Sequence, residues 1–116
     1  MIVTWKHKGL TDRRTRRPTH PGELIREDLL PETGLSQVQL AGLMGVSRRT
    51  ISEIVHERRG ITPDIAFRLA RLFDCTPQMW LNMQQALDLW EIEASHGDEY
   101  RDIHPVQDSS SSSTTP

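Results

Sequence analysis

Residues 37–55 read QVQLAGLMGVSRRTISEIV, and this stretch decides the fold of the chain. Its two halves have the apolar spacing of short helices, and only Gly45, Val46 and Ser47 separate them. Glycine at the first position of such a turn takes the left-handed backbone conformation without a Cβ clash, which sets two helices at a steep angle. Small Ala41 lets the two helices approach closely. The stretch therefore predicts a helix-turn-helix whose second helix protrudes.

Helix-start signals recur at short intervals on both sides of this stretch. Each is a side chain that can cap the first turn or a proline that suits it. The start signals stand at Pro21, Ser36 with Gln39, Ser47, Thr62-Pro63 and Thr76-Pro77. The matching end signals are Pro31 with Gly34, then Gly45, then Arg58 to Gly60, and the fifth helix should fray before Gly97. Strand-like alternation never lasts more than a few residues, so the predicted fold is all-α, with five helices.

Charge and composition divide the 116 residues into three parts around one compact domain. The net charge of −2 hides a gradient: residues 1–19 carry six basic side chains and one acidic, and the residues after 90 carry six acidic and one basic. We predict a flexible basic arm at 1–17 and a DNA-binding and dimerisation domain at 18–96. An acidic and then Ser/Thr-rich disordered tail is predicted at 97–116.

Several classes of function are disfavoured by what the sequence lacks. No apolar run approaches the roughly 18 residues that span a bilayer, and the start has no signal-peptide core, so we expect a cytoplasmic protein. The five histidines have no helical pair spacing and lie far from the single Cys75, which disfavours a metal site. Cys75 is expected to be a buried filler. No phosphate loop or nucleophile motif is present, so we expect neither an enzyme nor a cofactor.

The second helix of the helix-turn-helix has a polar outer face that suits a DNA major groove. Arg48 and Arg49 can each donate two hydrogen bonds to guanine O6 and N7, and are the predicted base readers. Gln37 and the backbone N–H groups beside it can bind a phosphate, which positions the protein without specifying sequence. Glu53 leaves two roles open: it accepts from a cytosine amino group, or it holds an arginine in place and repels wrong docking.

A charged outer face alone is typical of any solvated helix. The tight glycine turn, small Ala41 and the two capped short helices together favour DNA contact instead. The predicted DNA-binding residues are Gln37, Ser47, Arg48, Arg49, Thr50, Ser52, Glu53, Arg58 and Arg59.

The fifth helix carries more apolar residues than one core face needs. Its main stripe consists of Trp80, Met83, Leu87 and Trp90, and further apolar residues stand at Leu81, Leu89 and Ile92. The helix either covers the other four or forms a dimer or partner surface, and we favour the second and assign it to the main stripe. A dimer also suits DNA binding, since two recognition helices one DNA turn apart read a pseudo-palindrome.

From His20 to about Trp90 the chain resembles HigA-type antitoxins, a branch of the phage-repressor-like helix-turn-helix class. The resemblance rests on HPGELIREDLLPETGLSQVQLAGLMGVS and on ERRGITPDIAFRLARLFDCTPQMWLNMQQALDL. It implies a lambda-repressor-like arrangement of the five helices, and a dimer that represses its own operon and pairs with a HigB-type toxin, an mRNA-cleaving protein. It also implies that Gln37 contacts a phosphate and that Arg48, Arg49, Ser52 and Glu53 face the groove. The opening IVTWKHKGL resembles instead the start of HigB-type toxins, so the resemblance assigns the arm no role.

Two other functions agree with the same residues. A stand-alone phage-like or metabolic repressor would use the same DNA chemistry without a toxin, and the neighbouring reading frame separates the two. A protein-interaction module would have lost DNA contact, with Glu53, Glu57 and the acidic C-terminal segment keeping DNA away. A gel shift on the upstream region tests that alternative.

Overall fold

Five helices follow one another in the computed structural model, which describes residues 16–106. Helix α1 consists of Pro21–Leu24, a π-helical segment Ile25–Leu29, and Leu30–Thr33; α2 is Gln37–Met44, α3 is Arg48–Val55, α4 is Pro63–Phe73 and α5 is Pro77–Arg101. The predicted all-α, five-helix fold is confirmed, and none of residues 16–106 lies in a strand. Except for residues 16–17 and 97–106, the predicted basic arm and tail lie outside the described residues.

Each helix begins at a side chain that accepts a hydrogen bond from the first turn. Ser36 Oγ accepts from Gln39 N at 3.1 Å while Gln39 Oε1 accepts from Ser36 N at 2.9 Å, so the predicted capping box is formed. The caps predicted at Ser47, Thr62 and Thr76 are also present. The sequence therefore sets all of these starts locally, independently of the packing.

Helix α1 runs through Pro31, where the sequence analysis predicted its end. Proline in a helix interior lacks an N–H and its ring collides with the carbonyl four residues back. Just before it, the N–H of Leu30 donates to the carbonyl oxygen of Ile25 five residues back, and this wider turn leaves room for the ring. The helix ends at Gly34, whose φ of 75° makes a left-handed C-cap.

The core lies between α2, α3 and α4, closed by residues of α1 and α5. Its largest fully buried side chains include Trp80, Ile25, Leu40, Ile51, Ile54 and Leu69. Leu43 is 60% exposed, because Leu40, Ala41 and Met44 form the inward face of α2. Within residues 16–106, no helix is both long and apolar enough to cross a membrane.

The structure of α5 contradicts two predictions, one about where the helix ends and one about which residues it exposes. It continues past Gly97 to Arg101, and apart from Gly97 every side chain from Ile92 to Arg101 is exposed. Trp80 and Leu87, predicted as a dimer or partner surface, are only 1% and 2% exposed. That prediction is wrong for these two residues because the main apolar stripe of α5 packs on its own domain.

The two remaining stripe residues, Met83 and Trp90, are half-buried. Met83 packs against the core, so three of the four stripe residues face inward. The large apolar side chains of α5 that are exposed lie outside the stripe, at Met79, Leu89, Ile92 and Tyr100.

Candidate DNA-binding surface

The turn between α2 and α3 has the geometry that the sequence predicts. Gly45 adopts φ 73°, and the N–H of Val46 donates to the carbonyl oxygen of Ala41 at 3.0 Å. Arg68 of α4 donates from Nη1 to the carbonyl oxygen of Met44 at 2.7 Å, which satisfies the open end of α2. The turn is therefore held by a backbone hydrogen bond, by the left-handed conformation of Gly45 and by the side chain of Arg68 from α4.

Helix α1 supports α3 through an unusually close backbone approach at Gly22. A Cβ atom at this position would lie 1.8 Å from the carbonyl oxygen of Ile54, so only glycine fits. His20 Nδ1 accepts from the N–H of Gly22 at 2.8 Å and caps α1 at the same place. The HPGE segment at residues 20–23 thus joins the start of α1 to the end of α3.

The C-terminal end of α3 is held by arginines from other parts of the chain. Arg26 of α1 donates from Nη1 to the carbonyl oxygen of Val55, and its Nη2 lies 3.4 Å from Oε2 of Glu57. Glu57 has φ 61°, and Arg17 bridges its carboxylate to that of Glu91 on α5. These contacts hold the inner side and the C-terminal end of α3. The outer face of the helix is therefore not needed for packing.

Arg48 and Arg49 are both exposed on the first turn of α3. Ser47 is exposed and Thr50 half-buried, and their hydroxyl oxygens lie 2.9 Å apart. Arg48 has no hydrogen-bond or ion-pair partner within residues 16–106. Its guanidinium therefore remains available to a base edge, as a groove-reading arginine requires.

Glu53 joins two of the other three arginines of this surface. Its Oε2 accepts from Nε of Arg49 at 3.0 Å, and its Oε1 accepts from Nε and Nη2 of Arg59 at 2.9 and 2.7 Å. Hydrogen bonds from Arg59 and then Arg49 lower the pKa of this carboxyl below its ordinary value. Of the two roles left open for Glu53, the structure shows the one in which it holds arginines.

The other predicted contacts lie at the edges of this face. Gln37 begins α2 and is half-buried, and the capping box leaves the N–H groups of Gln37 and Val38 without an acceptor in the described chain. Arg58 is exposed in the turn after α3. Ser52 is half-buried, and its carbonyl oxygen lies 2.7 Å from Nδ1 of His56.

Sequence reasoning missed the residues that hold α3 from behind. Arg17 and Arg26 reach Glu57 across 40 and 31 residues, and no local spacing reveals such pairs. Gly22 did leave a signal, because glycine in a first helical turn costs stability and so points to a close backbone approach.

A groove of about 860 Å³ runs along the outer side of α5, and of the stripe predicted as a partner surface only Trp90 lines it. Its lining includes Pro18, Leu89, Trp90, Ile92 and Tyr100. Leu89 is 61% exposed, so apolar surface is available here although the main stripe is buried.

Comparison with known proteins first defines the class. A helix-turn-helix family matches residues 25–80, which span the π-helical segment of α1 to the start of α5. The HTH-type transcriptional regulator YbaQ of Escherichia coli, whose role is uncharacterised, is 43% identical over 79 residues, covering 68% of this chain and 70% of the relative. The fold and the exposed α3 thus make this a helix-turn-helix protein.

Further relatives narrow the family. Antitoxin HigA-1 of Vibrio cholerae is 34% identical over 91 residues, covering 78% of this chain and 86% of the relative. The solved structure of antitoxin HigA of Pseudomonas aeruginosa with the higBA promoter is 41% identical, with a TM-score of 0.74, and the match covers 78% of this chain and 99% of that chain. The solved structure of antitoxin GraA in complex with its operator is 42% identical, with a TM-score of 0.73, and the match covers 78% of this chain and 93% of that chain. The chain belongs to the HigA-type antitoxin family.

Proposed function

We propose that this chain is an antitoxin and transcriptional autorepressor, which binds operator DNA as a homodimer and neutralises a HigB-type mRNA-cleaving toxin. The observation that carries the proposal is the exposed outer face of α3, with Arg48 and Arg49, on a fold shared with antitoxins solved on promoter and operator DNA. The protein acts by binding rather than by catalysis, and in the cytoplasm, where operator DNA lies.

In this proposal α3 enters the major groove and Arg48 reads a guanine. Arg49 is the second base reader, and the N-terminal end of α2 at Gln37 docks on a phosphate. The remaining DNA-facing positions contact the backbone or the rim of the groove; they are Ser47, Thr50, Ser52, Glu53, Arg58 and Arg59.

Fluorescence anisotropy on the upstream DNA of the gene tests this assignment. Arg48→Ala should relax base preference at one position per half-site, by about 1–3 kcal/mol of discrimination. Gln37→Ala should weaken binding to all sequences alike, because it removes a phosphate contact. Equal, uniform losses in both variants would contradict the division into base and phosphate contacts. No specific binding by the wild type would overturn the proposed function itself.

The dimer is proposed to form through the outer side of α5 instead of the buried stripe. Leu89 and Ile92 are exposed there beside the groove, and a symmetric pair of such faces would place two α3 helices on one DNA site. Leu89→Glu should give a monomer in analytical ultracentrifugation. Leu43→Glu is the matched control, since Leu43 on α2 is equally exposed at 60%. A dimer that survives Leu89→Glu would place the interface elsewhere.

The toxin half of the proposal rests on membership of the HigA-type family. Co-expression with the neighbouring gene product and a pull-down test it directly. The relative YbaQ, described as a transcriptional regulator, favours a second candidate, a repressor without a toxin. A neighbouring frame that encodes a small basic RNase-like protein, recovered in the pull-down, supports the antitoxin; a neighbour of another kind supports the stand-alone repressor.

A further inference from the structure

Glu53 stands at the centre of the charged outer face of α3. Its side chain is 24% exposed, and both carboxylate oxygens are occupied by arginines. Arg49 lies one turn earlier on α3, whereas Arg59 comes from the chain after the helix and returns to it. One carboxylate thus links two guanidinium groups that lie on either side of it in sequence.

We propose that Glu53 determines DNA specificity by restraining and partly neutralising Arg49 and Arg59, which leaves Arg48 as the freely available arginine of α3. This inference rests on the proposed DNA binding and deepens it. Glu53 is a positioning residue, because it acts through the two arginines it holds.

The charge balance explains how one carboxylate can affect specificity. Non-specific binding depends on how many phosphates the protein neutralises, so each guanidinium that is paired internally contributes less to it. A carboxylate in the interface also disfavours any docked register that leaves it facing a phosphate. Weak general attraction and a penalty on wrong registers both increase the ratio of specific to non-specific affinity.

The packing of α3 on the domain does not depend on this carboxylate. The inner face of the helix packs through Ile51, Ile54 and Val55, which are at most 1% exposed. The C-terminal end is held by Arg26 and Glu57 on the opposite side. The lowered pKa of Glu53 means that its charge persists throughout the neutral range. A change at Glu53 can therefore be read as a change in binding.

The test is Glu53→Gln in the full-length chain, which keeps the size of the side chain and removes its charge. Affinities for the upstream operator DNA and for a scrambled duplex are measured by anisotropy over a salt series. We expect non-specific affinity at low salt to rise roughly fivefold to tenfold and the salt slope to steepen by about 1 to 2, since each phosphate contact adds about 0.9. The specificity ratio should fall about tenfold, while the loss of two exposed ion pairs should lower the melting temperature by only a few degrees.

Asp64→Asn is the matched control. Asp64 pairs with Arg68 at i, i+4 spacing on α4, so the substitution changes the net charge equally and also breaks one carboxylate–arginine pair. Its specificity ratio and salt slope should equal those of the wild type. If Asp64→Asn lowers the ratio as much as Glu53→Gln, net charge alone explains the effect and the proposal fails.

A double variant, Glu53→Gln with Arg59→Gln, tests whether Glu53 acts through the arginine. Glu53→Gln releases two guanidinium groups, and the second substitution removes that of Arg59. The charge of the surface then equals that of the wild type, so non-specific affinity should return to within about twofold of the wild-type value. Loss of preference for a single cytosine with an unchanged salt slope would show direct readout by Glu53 and overturn the proposal. An unchanged specificity ratio in Glu53→Gln, in a protein whose wild type binds its operator, would also overturn it while leaving the proposed function standing.

Discussion

Replacing Gly22 by alanine tests how α1 holds the recognition helix. The added Cβ would lie 1.8 Å from the carbonyl oxygen and 2.7 Å from the carbonyl carbon of Ile54, and both are backbone atoms. Normal contact needs about 3.4 Å, so α1 and α3 would have to separate by about 1.5 Å. Flexible side chains cannot absorb this displacement, because the clash is with backbone.

The expected cost follows from that displacement. Overpacking a closed core costs about 1–3 kcal/mol and occasionally more, and here the N-terminal cap by His20 lies in the same contact. We expect Gly22→Ala to lose about 3 kcal/mol or more of unfolding free energy. For a domain of this size, that corresponds to a melting temperature lower by roughly 12–24 °C. Operator affinity should fall as well, since α3 loses its support.

Gly42→Ala provides the matched control for this experiment. Gly42 lies inside α2, and a Cβ there would meet nothing within 4 Å. The same chemical change should therefore stabilise the protein by about 0.5–1 kcal/mol, through helix propensity alone. Both variants are measured by circular dichroism during thermal and urea unfolding. A Gly22→Ala protein as stable as Gly42→Ala would refute the close approach of α1 and α3.

Two further predictions concern contacts that hold helices α1 and α5. His20 caps α1 with a neutral ring nitrogen, and burial lowers its pKa below 6.5 despite the opposing charge of Glu57, so the unfolded chain takes up the proton first. This contribution to the free energy of unfolding is therefore fully present above pH 6.5 and should decline as the pH falls towards the lower folded-state pKa. Urea titrations at several pH values should show a shallower decline in His20→Asn than in the wild type. Equal slopes of unfolding free energy against pH in the two proteins would contradict the cap. Gln84→Met removes the acceptor that takes the N–H of Ile61 at 2.8 Å, and should lower the unfolding free energy by about 1–2 kcal/mol in urea. An unchanged midpoint would mean that the turn before α4 does not depend on α5.

The parts of the fold that the sequence predicts correctly are those set within one turn of chain. The caps at Ser36, Ser47, Thr62 and Thr76 depend on a side chain and an N–H three residues away, and Gly45 acts on its own backbone. Such features do not depend on the packing of other helices, so their residue types reveal them.

The errors arise where a local rule competes with tertiary structure. Pro31 and Gly34 are the predicted end signals of α1, but the wider turn before Pro31 lets the helix continue to Gly34, which ends it. Trp80 and Leu87 are predicted to lie on a partner surface but are buried. The sequence shows how wide the apolar surface of the helix is, but not which part of it faces the core. Packing decides that direction.

The candidate site shows the same division. Arg48, Arg49 and Glu53 follow from the helical period, and the pair of Glu53 with Arg49 has ordinary i, i+4 spacing. The pair with Arg59 does not, because it needs the left-handed residue Glu57 to turn the chain back towards α3. That long-range geometry is visible only in the structure.

The exposed end of α5 has a consequence for how this protein folds. From Ile92 to Arg101 the helix has almost no buried surface of its own, and an isolated helix of ten residues is marginal in water. If a second copy packs against this side, as proposed, the order of these turns becomes a function of protein concentration. Secondary structure and assembly are then a single equilibrium, and dilution in the cell would loosen the helix at the same time as it separates the subunits.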